Sequence, residues 1–232
     1  MTMSKGLFIT GTGTDIGKTY VTGLLMKKLA ENGYNCAYFK AAMSGNDRRD
    51  DGSLIPGEAL HVKTVSGISQ PLDEMCPYIY ETAVSPHLAS KTEGSPVDMD
   101  VVKKSYDRLA EKYEYIITEG SGGIMCPLRY DDEKLFLEDL IHTLKVPSII
   151  IADAGLGTIN SVVLTVEYMR AHDLEVKGVI FNNFHNSNIM EEDNKKMCEE
   201  LTGIPVIACI GENSKIIDID AGYLASLFSQ EG

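Results

Sequence analysis

The sequence is short of the features that mark secreted, zinc-structured or nucleic-acid-binding proteins. Its five cysteines, Cys36, Cys76, Cys126, Cys198 and Cys209, are odd in number, widely scattered and never spaced C-x-x-C. That pattern argues against a disulfide framework or a zinc site and fits reduced thiols in a cytoplasm. Positive charge is scarce, with 21 Lys and Arg against 34 Asp and Glu and a formal net charge of -13. A general nucleic-acid-binding surface needs the opposite sign, so no nucleic-acid partner is expected and any anion site must be local. No apolar run has the length of a membrane span, and residues 1–6 are too short and polar for a signal peptide, so no membrane partner is expected. Internal repeats, low-complexity tracts and Ser/Gly-rich linkers are also missing.

What is present is ordinary globular material: 232 residues, 44% hydrophobic and 24% charged. A single large α/β domain over residues 1–232 is the first expectation. Apolar runs of strand length at 7–10, 36–39, 115–118, 148–152, 176–181 and 206–210 alternate with segments of helical period at 18–31, 98–112, 135–144, 159–171 and 190–201. A last helix is expected near 221–228. This rhythm predicts a doubly wound, mostly parallel sheet with helices on both faces. The stretch from about 44 to 96 breaks the rhythm with a polar run and several prolines around one short helix at 58–65, and reads as an insertion over the active face.

After the first strand, residues 11–19 read G-T-G-T-D-I-G-K-T and lead into a helix with apolar Val21, Leu24, Leu25 and Leu29. Strand, glycine-rich loop and helix in that order form a phosphate-binding loop. Glycines let the backbone wrap a phosphate, N–H groups at the helix start face it, Lys18 reaches the outer oxygens and Thr19 can ligate Mg²⁺. Five residues rather than four separate Gly11 from Gly17, so the loop is a variant of the usual pattern. The bland reading makes Lys18 a solvated first-turn cation, a position the helix dipole disfavours.

Ligands of such sheets gather beyond the carboxyl ends of the strands. There the sequence places Lys40 and Ser44 after the second strand and Glu119 with Gly120, Ser121, Gly122 and Gly123 after the third. Gly157, Thr158, Ile159 and Asn160 open a second helix after the fourth strand, a start suited to an anion. Taken singly, each has a dull explanation as a solvated cation, a turn residue or a tight loop. Their shared edge with the phosphate loop is what gives them weight. Glu58 opens the short helix of the insertion, where the dipole alone would favour an acid.

With these residues in place, the sequence resembles the dethiobiotin synthetase family of P-loop proteins. The resemblance is carried by 11–19, Y-F-K-A-A-M-S-G at 38–45, S-P-H at 85–87, E-G-S-G-G-I-M-C-P-L at 119–128, G-L-G-T-I-N at 155–160 and F-N-N at 181–183, and the five-residue loop spacing is typical of that family. The resemblance implies ATP- and Mg²⁺-dependent closure of a cyclic urea on 7,8-diaminopelargonic acid with CO₂, giving dethiobiotin, ADP and phosphate. It also implies the roles. Lys40, Lys18 and Thr14 would be catalytic, with Thr14 and Ser44 on the carbamate end of the substrate. Thr19, Glu58 and Glu119 would surround Mg²⁺. Asp15, Ile16, Gly17, Lys18, Thr19, Tyr20, Glu119, Gly120, Gly122, Asn182, Asn183 and Glu212 would meet the nucleotide, the two asparagines at the adenine edge. Gly157 to Asn160 would receive the substrate carboxylate from the neighbouring subunit of a homodimer.

The chain departs from the family pattern at Gly13, Asp15, Ala41, Ala42 and Glu58. Two of these shift a carboxylate by one methylene, so metal geometry is where it should differ. No substrate-tail tyrosine is matched in 184–194. A cobyrinate-type amidase would need a Cys/His glutaminase domain, for which no room is expected after Gly211. The competing reading from another class is a switch ATPase of the partitioning or positioning type. Such proteins carry an extra lysine early in the loop and often a basic or amphipathic surface segment, whereas residues 11–15 contain no lysine and the chain is acidic.

Overall fold

The structure is a computed structural model and describes residues 4–230. Strand β1 (Lys5–Gly11) leads through the phosphate loop into helix α1 (Lys18–Glu31), which returns to β2 (Cys36–Phe39). Next come β3 (Ala42–Met43), α2 (Gly57–Ser66), a 3-10 turn at Leu72–Glu74, β4 (Tyr78–Ile79), α3 (Pro86–Thr92) and α4 (Met99–Ala110). The chain continues through β5 (Tyr115–Glu119), β6 (Pro127–Tyr130), β7 (Lys134–Phe136), α5 (Leu137–Leu144), β8 (Ser148–Asp153) and α6 (Thr158–Ala171). It ends with β9 (Val176–Asn182), α7 (Ile189–Thr202), β10 (Val206–Cys209), α8 (Ala221–Ser226) and β11 (Ser229–Gln230).

Six strands form a parallel sheet in the order β10-β9-β8-β1-β5-β2, and β11 adds antiparallel to the start of β1. Both faces are buried, and the side-chain period of two sorts the strand residues between them. Leu7, Ile9, Tyr38, Ile117, Ile149, Ile151 and Ile180 face one core, which is closed by α1, α2 and α8. Phe8, Phe39, Ile116, Ile150, Val179 and Phe181 face the other, closed by α4, α5, α6 and α7. Because β1 lies between β8 and β5, its carboxyl end opens at the middle of the sheet, where the order reverses and ligands bind.

Several boundaries differ from the expected ones. The helix expected at 135–144 starts two residues later, because Leu135 and Phe136 pair with Arg129 and Pro127 in a two-stranded ladder. Asp139 starts α5 by accepting the Phe136 N–H at 2.7 Å. The final helix stops at Ser226, since Ser229 and Gln230 turn back onto Gly6 and Lys5. The stretch from 44 to 96 holds more order than its composition suggested, with α2 and α3 plus Tyr78 and Ile79 paired in parallel to Ala42 and Met43.

The edge strand β2 has an unusual cover. The Gln70 side chain, buried, accepts the Tyr38 N–H at 2.8 Å and donates to the Tyr38 carbonyl at 2.9 Å, as a neighbouring strand would. The Lys40 N–H donates to the Met75 carbonyl at 2.9 Å. These bonds use up the free edge that would otherwise invite pairing with another chain, and they fix the strand that delivers Lys40.

Candidate active site

The phosphate loop is shaped by its glycines. Gly17 adopts φ +88° as the residue before α1, a conformation that disfavours any Cβ, and a Cβ there would stand 2.2 Å from Asn182 Nδ2. At Gly11 a Cβ would come within 2.4 Å of Ile16 Cδ1. The loop therefore lies directly on the end of β9, where Asn182 donates from Nδ2 to the Ile16 carbonyl at 3.0 Å. No side chain caps α1, so its first N–H groups are available to an anion. Lys18 is buried and folds back to donate to the Gly13 carbonyl at 2.8 Å. Burial first, and the nearby Lys40 charge second, lower its pKa from 10.5.

Lys40 leaves the end of β2 and is 2% exposed. Its ammonium bridges two carboxylates, Glu58 Oε2 at 2.7 Å and Glu119 Oε1 at 3.0 Å. Burial opposes that charge, but Glu119 and then Glu58 outweigh it, and the pKa is raised. Two buried lysines thus shift in opposite directions: Lys40 touches both acids directly, while Lys18 touches a neutral carbonyl. Glu119, at the end of β5, is 1% exposed and also accepts from the Thr19 hydroxyl at 2.7 Å on Oε1 and from the Tyr38 hydroxyl at 3.3 Å on Oε2. Thr19 lies 3.4 Å from Glu58 Oε1 as well. Burial, then the Glu119 charge, pushes the Tyr38 phenol well above its usual 10.0, so it remains a donor.

These groups meet at a cavity of about 910 Å³. Thr14, Asp15, Gly17, Lys18, Thr19, Tyr20, Lys40, Ser44, Glu58 and Gly122 line it, so half of the expected residues converge on one space. Glu119 lies beneath, reached through Thr19 and Lys40. Gly120 is buried behind, with no room for a Cβ between Phe8 and Leu137. Ser44 donates to the Val84 carbonyl at 2.5 Å, and Tyr20 donates to the Ser214 carbonyl, holding the segment after β10 against α1. Glu212 is exposed on that segment.

Some expected residues stand elsewhere. Asn183 adopts φ +56° and donates to Asp153 Oδ2 at 2.8 Å. Gly157, Thr158, Ile159 and Asn160 form the start of α6 and do not line this cavity. Sequence reasoning assigned no role to Gly45, Ala83, Val84, Ser85, Pro86, Ser121 and Cys126, which complete the cavity wall. The signals for them were the S-P-H motif at 85–87 and the cysteine in the 119–128 motif.

Known proteins are similar to this sequence along nearly the whole chain. The family described as an AAA domain matches residues 5–219. An ATP-dependent dethiobiotin synthetase of Brachyspira hyodysenteriae is 50% identical over 227 residues, covering 97% of this chain and 100% of that one. The enzyme of the same name from Clostridium botulinum is 45% identical over 214 residues, covering 92% and 94%. Among solved structures, the MinC:MinD cell division protein complex of Aquifex aeolicus superposes with a TM-score of 0.56 at 16% identity, covering 91% of this chain and 83% of that one. A ParA family ATPase of Chlorobium tepidum superposes with 0.54 at 12%, covering 92% and 86%. These two likenesses concern the fold. The convergent phosphate loop, lysines and carboxylates, together with identity of this extent, make the chain a member of the ATP-dependent dethiobiotin synthetase family on a P-loop ATPase fold.

Proposed function

We propose that this protein is an ATP-dependent ligase that joins CO₂ to 7,8-diaminopelargonate and closes the ring to give dethiobiotin, ADP and phosphate. The observation that carries this reading is the pairing of Lys18 and Lys40 at one cavity, each at the end of a neighbouring element and close enough for the Lys40 charge to lower the Lys18 pKa. Two ammonium groups facing one small volume suit a transferring phosphoryl group and a carbamate, both anionic.

One amine of the substrate adds to CO₂ with loss of a proton to form a carbamate. A carbamate oxygen attacks the γ-phosphorus and ADP leaves. The second amine then attacks the carbamate carbon, phosphate departs and the urea ring closes. In this scheme Lys40 holds the carbamate and the phosphoryl oxygens, Lys18 exchanges its Gly13 carbonyl for the phosphates, and Thr14 and Ser44 supply hydroxyls at the carbamate end. The protein contributes position and fixed charge rather than a covalent intermediate. Asn182, whose Oδ1 has no partner among the described residues, offers the acceptor that an adenine amino group requires.

Mg²⁺ fits the donor set on chemical grounds. Thr19 and two carboxylates, Glu58 and Glu119, provide hard oxygens, with the Thr19 hydroxyl 3.4 Å from Glu58 and 2.7 Å from Glu119, and the Lys40 ammonium already shares both acids as a cation would. Bound there, the metal would neutralise charge on the β- and γ-phosphates. Among the described residues no group of three or more His, Cys, Asp or Glu is placed to hold a metal, so phosphates would complete the ligand set.

The start of α6 has an exposed Leu156 and a buried Thr158 hydroxyl without a partner among the described residues. We assign it to the substrate carboxylate of a neighbouring copy in a homodimer. The reading is tested by phosphate release from ATP. Release should require both diaminopelargonate and bicarbonate, and release that ignores that pair and responds to DNA or lipid instead would favour a switch ATPase.

A further inference from the structure

We propose that Tyr38 is a positioning residue for the metal-binding carboxylate of Glu119. Lys40 follows the last residue of β2 and lies two residues after Tyr38, so the two project from the same side of the chain, and both reach Glu119. They grip different oxygens. Oε1 takes the Thr19 hydroxyl at 2.7 Å and the Lys40 ammonium at 3.0 Å, while among the described residues the Tyr38 hydroxyl at 3.3 Å is the donor that Oε2 receives. A carboxylate held at both oxygens has one orientation. Without the phenol, Oε2 would be a buried charged acceptor without a donor, and the group would turn to share Lys40 or Thr19, losing the orientation in which it would meet a metal. The Tyr38 backbone is itself clamped from outside the sheet by both polar ends of Gln70, at 2.8 and 2.9 Å. Its side chain is fully buried in the core that α1 and α2 help to close, so the hydroxyl has little freedom to follow a drifting carboxylate.

This inference rests on the assignment of Glu119 to Mg²⁺. A packing role alone would be served equally well by phenylalanine, which keeps the ring and loses the hydroxyl. Tyr38→Phe is therefore the test, read by calorimetric titration of ADP across a series of Mg²⁺ concentrations and in EDTA. The apparent Mg²⁺ affinity should fall about tenfold, the low end of the weight of one hydrogen bond to a charged group, because the contact is long at 3.3 Å. ADP affinity in EDTA should stay within about twofold of wild type. Turnover should recover at saturating Mg²⁺, so that the apparent Mg²⁺ constant moves and kcat does not. Unchanged Mg²⁺ dependence in a folded variant would overturn the positioning role, as would an equal loss of ADP affinity in EDTA. A wild-type protein whose nucleotide binding ignores Mg²⁺ would remove the metal reading as well, so the two failures are distinguishable.

Discussion

Lys40→Met isolates the contribution of one buried cation, because methionine keeps most of the stem's volume and removes the charge. In the structure the Lys40 side chain is 3% exposed and the Glu119 side chain 0%, so this pair sits away from solvent. Removing one partner of a buried pair costs about 3–5 kcal/mol, mainly from the stranded charge. Glu119 keeps donors from Thr19 and Tyr38, which places the loss near the low end, about 3 kcal/mol. The Glu58 side chain is 41% exposed, so its share is below about 1 kcal/mol. For a chain of this size that total lowers the melting temperature by about 6–16 °C. The raised Lys40 pKa gives the sign with pH: the contribution is fully present below 10.5 and is lost as pH rises through the folded value. Mg²⁺ restores a cation beside the same acids, so much of the loss should return when Mg²⁺ and ADP are added. Turnover should not return, because a positive charge aimed at the transition state is missing, a loss of about 100- to 1000-fold. Scanning calorimetry with and without Mg²⁺, beside phosphate release, reads both effects. A melting temperature within about 2 °C of wild type in metal-free buffer, or turnover close to normal, would refute this account of the site.

Gly17→Ala places a Cβ at φ +88° and against Asn182, costing about 2–4 kcal/mol from left-handed backbone and overpacking together; chemical denaturation reads the stability, and ADP affinity should fall more than about tenfold. Lys18 has a lowered pKa in the free protein, and a bound triphosphate raises it again. Nucleotide binding in the alkaline range below 10.5 should therefore take up a proton, seen as a binding enthalpy that depends on the buffer and lost in Lys18→Met. Gln70→Leu leaves the Tyr38 N–H and carbonyl without their partner at a buried edge, and urea denaturation should show a loss of about 2–3 kcal/mol.

The sheet was legible because its strands are buried on both faces and read as continuous apolar runs, with residues such as Ile149, Ile150 and Ile151 alternating between two cores. The short ladders were not, since β3 and β4 have two residues each, too few to show a period. Leu135 and Phe136 carry the apolar spacing of the helix that follows, and only pairing with β6 reveals them as strand. Within the site, Lys18, Thr19, Lys40 and Glu119 were readable because each ends a strand or opens a helix on one rim. Tyr38 was hidden inside an apolar run, where a tyrosine is indistinguishable from a core aromatic until its hydroxyl is located. Asn183 was placed at the right strand end, but its positive φ turns the side chain toward Asp153.

The short antiparallel pairing of β11 with β1 brings Gln230 beside Lys5. From there to Gly11 the strand advances about 20 Å, so both ends of the described chain are stitched together on the side of the molecule away from the glycine-rich loop. A fluorophore, affinity handle or surface tether attached on that side would leave the reactive rim unobstructed.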